Sequence, residues 1–159
     1  MVRGIEDYLA SKQAAAGIIA MDIKNRGYED GAINTLIYGI DYLKDDYELP
    51  MEPDYIIMNP PYATIEPFVM KALSQAEKGV LMLGRLQFLE GQSRYENILA
   101  EYPPSDVYVY VDRIRCYKNG EPEASTTSAQ AYGWFWWDLQ EEQTETKLHW
   151  IRRASKKNS

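Results

Sequence analysis

The sequence predicts an α/β fold, with a mostly parallel sheet flanked by helices and a C-terminal antiparallel hairpin. Three observations lead there. Short apolar runs alternate with helix-period segments through the first two thirds of the chain. The first three runs each deliver an acidic or amide side chain at or just past their carboxyl end: Asp22, Asp41 and Asn59. Residues 106–114 and 131–138 then break the alternation and read as two consecutive strands.

Residues 5–16 carry Ile5, Tyr8, Leu9 and Ala16 between charges, which suits an amphipathic helix stopped near Gly17. Residues 17–23 form an apolar run ending at Asp22 and Ile23, a buried parallel strand. Residues 35–38 are a weaker strand candidate, with Asp41 shortly after; residues 54–58 are a clear one that runs into Asn59-Pro60-Pro61-Tyr62. A helix over 65–76, a buried strand over 79–86 and a helix over 93–102 follow, the last stopped by Pro103-Pro104. Residues 117–130 are a polar loop. The aromatic run Trp134-Phe135-Trp136-Trp137 marks a core strand. From Gln140 onward the chain is polar, so the expected organisation is one domain over 1–139 and a polar tail over 140–159.

The bulk numbers agree with one core: 159 residues, 45% of them hydrophobic. The apolar stretch 14–21 lacks the flanks of a signal peptide and is too short to span a bilayer, so a cytoplasmic protein with no membrane partner is expected. A single cysteine, Cys116, and a single histidine, His149, exclude an internal disulfide and a Cys/His metal cluster, and no metal is implied. The net charge of −7 argues against gripping nucleic acid by charge alone. Acids outnumber bases 11 to 5 over residues 1–55, so any DNA-facing surface is sought later, at Arg85, Arg94, Arg113, Arg115 and Lys118, against ordinary solvated charges as the plainer reading. The hydroxyl-rich residues 125–128 have no adjacent histidine and do not make a nucleophile site.

In open α/β sheets ligands bind beyond the carboxyl ends of the strands. A carboxylate there can accept from both ribose hydroxyls of a nucleoside-like cofactor, and a second can accept from an adenine amino group. Asp22 and Asp41 are the candidates, with Asp45 and Asp46 as rivals to Asp41; a cap or a solvated loop residue is the plainer reading of each. Asn59-Pro60-Pro61-Tyr62 is more specific. Its prolines fix φ and stiffen the corner. An aromatic amino nitrogen is a poor nucleophile while its lone pair is delocalised. The Asn59 side-chain oxygen and the Pro60 carbonyl can each accept one of its N–H groups, which localises that pair and stabilises the charge that develops on attack at a sulfonium methyl. Tyr62 would stack on the base, a contact worth about 1–3 kcal/mol. A base inside a duplex must first be flipped out.

These residues carry a resemblance. Residues 19–28, Asp41-Tyr42-Leu43, residues 55–62, residues 84–95 and residues 124–138 together resemble the phage and prophage N6-adenine DNA methyltransferases, over about residues 1–139. The resemblance implies a Rossmann-like class I fold, a three-layer sandwich, with S-adenosylmethionine as methyl donor and DNA adenine as acceptor. It makes Asn59, Pro60, Pro61 and Tyr62 the catalytic and base-holding motif, Asp22 the ribose ligand and Asp41 the contact to the cofactor adenine, with Ile23 and Tyr42 flanking that ring. Relatives that methylate protein glutamine or RNA guanine share the motif; residues 84–95 favour DNA. The family opens with a strand and a glycine-rich loop, and this chain starts just after them. The expectation is therefore a sheet lacking its first strand, between the Asp22 strand and the 54–58 strand, with a second chain as one possible source. The alternative from another class is a catalytically inactive remnant serving as a binding or interaction module.

Overall fold

The fold was obtained as a computed structural model, which describes residues 2–12, 17–25, 35–44, 48–49, 51–112, 114 and 130–152. The chain divides into two compact units, residues 1–49 and 50–159.

In the first unit, helix α1 (Val2–Ser11) has Ile5 and Leu9 half-buried, one turn apart, with Asp7 and Tyr8 exposed. The described helix runs to Ser11, and residues 13–16 of the predicted 5–16 helix lie outside the described residues. The Tyr8 carbonyl takes the Lys12 amide (3.1 Å) as the last helical bond and also the Ser11 hydroxyl (2.7 Å). Strands β1 (Ile19–Asp22) and β2 (Thr35–Tyr38) pair in parallel, with Asp22 opposite Tyr38. Both strands match predicted runs. Just past β2, Gly39 donates its amide to the Asp22 carbonyl at 3.1 Å. Its φ of 77° is a left-handed conformation that favours glycine.

The second unit holds a mixed five-stranded sheet in the order β3-β4-β6-β5-β7, comprising β3 (Tyr55–Met58), β4 (Gly79–Arg85), β5 (Asp106–Tyr110), β6 (Tyr132–Asp138) and β7 (Lys147–Ile151). β6 is antiparallel to both neighbours; the other pairings are parallel. Helix α2 (Ile65–Gln75) buries Ile65, Val69 and Ala72, positions i, i+4 and i+7, against Val80 and Met82 of β4, Val107 of β5, and Phe135 and Trp137 of β6. Phe88 and Ile98 complete that core. On the opposite face the Trp136 indole lies over Gly79, where an added Cβ would come within 2.1 Å of the ring. The aromatic strand is thus core on one side, with Trp134 and Trp136 half-buried on the other.

The α/β class matches the expectation from sequence; three details do not. Helix 93–102 is instead a short α3 (Gln92–Arg94) that widens into a π-helical turn (Tyr95–Leu99), with the Ala100 amide reaching the Tyr95 carbonyl at 2.9 Å. The predicted strand 106–114 stops at Tyr110. Residues read as a polar tail include β7, parallel to β5. Ser105 accepts the Lys147 amide at 2.9 Å, and the Ile151 carbonyl accepts from Val111 at 3.0 Å. The His149 imidazole meets Asp106 at 2.6 Å and stacks on Tyr108 with centroids 4.7 Å apart. An edge strand needs little burial, so its composition stays polar. Among the described residues, no helix is long and apolar enough to cross a membrane.

Candidate functional site

Parallel pairing brings the carboxyl ends of β3, β4, β5 and β7 to one sheet edge, together with the start of β6. The Asn59-Pro60-Pro61-Tyr62 corner leaves β3 at that edge and leads through a 3₁₀ turn (Tyr62–Thr64) into α2. Pro60 is buried and anchors the corner, Pro61 is extended (φ −60°, ψ 135°), and the Pro61 carbonyl accepts the Thr64 amide at 3.1 Å. Asn59 is exposed. Among the described residues, no donor reaches the Asn59 side-chain oxygen or the Pro60 carbonyl. Two adjacent acceptors on a stiff corner, with their hydrogen-bonding capacity unspent, are what a two-donor amino group requires.

Tyr62 is held from two sides. Its hydroxyl donates to the Tyr132 hydroxyl at 2.8 Å, with ring centroids 6.2 Å apart and planes at 50°. The Arg85 guanidinium carbon lies 3.9 Å from the Tyr62 centroid, a close cation–π contact. Arg85 and Tyr132 are register partners at the ends of β4 and β6, so the pairing itself brings both side chains to one face. The Tyr132 hydroxyl raises the Arg85 pKa further, burial opposes this, and the Tyr62 hydroxyl adds to it. The guanidinium therefore stays charged. Sequence reading ranked Arg85 only as a candidate surface cation and passed over Tyr132. The available signal was their placement at the end of one predicted strand and the start of another.

In the first unit, Asp22 ends β1, and Asp41 lies three residues beyond β2 at the same end of the strand pair. Each carboxylate accepts an amide two residues on: Lys24 to Asp22 at 2.9 Å and Leu43 to Asp41 at 3.1 Å. These Asx turns take up part of the hydrogen-bonding capacity of each carboxylate. Ile23 is exposed and Tyr42 half-buried; burial pushes the Tyr42 phenol up to about 12. Asp45 and Asp46 lie outside the described residues.

Of the cations expected to face DNA, Arg94 has another task. One guanidinium nitrogen donates to the carbonyls of Gln87 (2.7 Å), Phe88 (3.3 Å) and Glu90 (2.7 Å), and Nε lies 3.4 Å from Glu66. It fastens the segment after β4 to α2. Arg113, Arg115, Lys118, Cys116 and residues 125–128 lie outside the described residues. A cavity of about 220 Å³ between the end of β5 and the start of β6 is lined by Tyr110, Asp112, Gln130 and Tyr132 among others. That is below the roughly 300–1,000 Å³ of small-molecule sites. Among the described residues, no group of His, Cys, Asp or Glu is placed to hold a metal. Neither a family model nor a curated protein matches the chain.

Proposed function

We propose that the protein transfers a methyl group from S-adenosylmethionine to the N6 amino group of adenine in DNA, on a Rossmann-like class I methyltransferase fold. The observation that carries this reading is the pair of acceptors that meet no donor among the described residues, the Asn59 side-chain oxygen and the Pro60 carbonyl, at a carboxyl sheet edge beside the fixed ring of Tyr62. When bound, S-adenosylmethionine supplies an electrophilic methyl group. The two oxygens accept the two amino N–H groups, draw the nitrogen toward a pyramidal geometry and stabilise the positive charge that builds as the N–C bond forms. As that bond forms the sulfur–methyl bond breaks, its electron pair staying on the sulfur of a neutral thioether, and one of the amino protons then passes to water. Tyr62 holds the flipped base by stacking.

The carboxylates of Asp22 and Asp41 suit the hydroxyl and amino groups of an adenosyl moiety, with Ile23 and Tyr42 as the apolar surfaces beside it. The reading includes a further strand, from other residues or a second chain, along β3. Among the described residues β3 ends its sheet, and Tyr55 and Ile57 are exposed at 53% and 36%.

The test is incubation with labelled S-adenosylmethionine and unmethylated genomic DNA, with RNA and protein acceptors in parallel. Label in N6-methyladenine supports the proposal. Label only in RNA or protein glutamine replaces the substrate. A folded protein that shows no calorimetric binding of S-adenosylmethionine and labels nothing is an interaction module instead.

A further inference from the structure

The Tyr62 ring is gripped by contacts of different kinds: a hydroxyl–hydroxyl bond at its rim (2.8 Å to Tyr132) and a guanidinium over its face (3.9 Å from Arg85). A rim contact alone leaves the ring plane free to tilt about the bond. A face contact alone leaves the ring free to rotate in its own plane. Together they fix both. Tyr132 is well placed for this, being 3% exposed and held in the sheet as the register partner of Arg85. Arg85 is half-buried beside both rings, and among the described residues its Nε has no hydrogen-bond partner. The rest of the guanidinium meets the Tyr132 and Tyr62 hydroxyls, so it ties the two rings together while lying against the face of Tyr62.

We infer that Arg85 and Tyr132 are positioning residues that set the plane of Tyr62 as a stacking platform for the target base, so that Arg85 acts through its flat guanidinium and not as a phosphate contact. This rests on the reading of Tyr62 as the base-stacking residue. It makes a sharp distinction between arginine and lysine. Lysine keeps the charge that a phosphate contact needs but has no plane to lay against the ring. A phosphate contact would moreover show itself as a change in the salt dependence of DNA binding.

The experiment compares wild type with Arg85→Lys and Tyr132→Phe, each checked for an unchanged near-UV circular dichroism spectrum and melting point. Methylation of unmethylated genomic DNA is followed at two salt concentrations. Each variant is expected to raise KM for DNA by roughly 3- to 30-fold. The salt dependence should be unaltered, and kcat should stay within about threefold because Asn59 and Pro60 are untouched. Ring-labelled tyrosine NMR reads the platform without activity: Tyr62 resonances should sharpen toward fast ring flipping in both variants. Normal KM in Arg85→Lys, or a change confined to the salt dependence, overturns the inference while leaving the proposed function intact. A wild type that methylates no DNA fails the proposed function itself, and the stacking role with it. Unchanged Tyr62 resonances in both variants overturn the platform regardless of activity.

Discussion

Two kinds of strand end occur in this molecule, and they differ in what their polar groups are already doing. Asp22 and Asp41 in the first unit each close an Asx turn, so part of their capacity goes to shaping the loop that follows. The corner at Asn59 and Pro60 in the second unit takes its rigidity from two prolines, and its acceptors meet no donor among the described residues. A residue that shapes its own loop is accounted for without any ligand. An acceptor pair held still by covalent geometry, and left unbonded, is not.

That contrast is easiest to break at Asn59. Replacing it with alanine should lower methyl transfer by about 10²–10³-fold, as for other preorganised groups facing developing charge, while the melting point stays within about 2 °C. An equal loss of stability would make the corner structural. The carboxylates should behave differently. Asp22→Asn keeps an oxygen for the Asx turn and should weaken S-adenosylmethionine binding about tenfold by calorimetry with stability unchanged. Asp22→Ala should do both, with about 1 kcal/mol lost in denaturant unfolding.

Tyr42 offers a pH test of the same region. Its phenol titrates at about 12 when folded and near 10 when unfolded, so the unfolded chain releases the proton first as pH rises. Stability from Tyr42 is complete below pH 10 and is lost progressively between about pH 10 and 12. Tyr42→Phe should flatten that decline in urea unfolding; Tyr102, Tyr108 and Lys78, also raised, contribute to what remains. The smallest effect is expected at an internal polar pair. His149→Ala should cost about 0.5–1 kcal/mol in the same assay, because the pair with Asp106 is partly solvated.

Most strands were legible because a buried strand announces itself as an apolar run: residues 35–38 match β2 residue for residue, and the runs at 17–23, 54–58, 79–86 and 131–138 contain β1, β3, β4 and β6. The corner was legible because prolines act locally. What escaped depends on pairing. β7 carries Lys147, His149 and a 68% exposed Trp150, and becomes a strand only because β5 offers an edge. The Arg85–Tyr132–Tyr62 cluster follows from register, since a slip by one residue would turn the Arg85 or Tyr132 side chain to the other face. Arg94 looked like a surface cation because nothing in its neighbours reveals that three carbonyls would converge on it.

The β4–β6 ladder joins segments separated by roughly 50 residues, a long loop to close before any pairing is rewarded. During synthesis β4 emerges with its apolar strip uncovered on the β6 side until Tyr132–Asp138 have left the ribosome. Folding of the second unit thereby waits for synthesis to pass β6, and a nascent chain stalled before that point would be a natural client for chaperones and proteases.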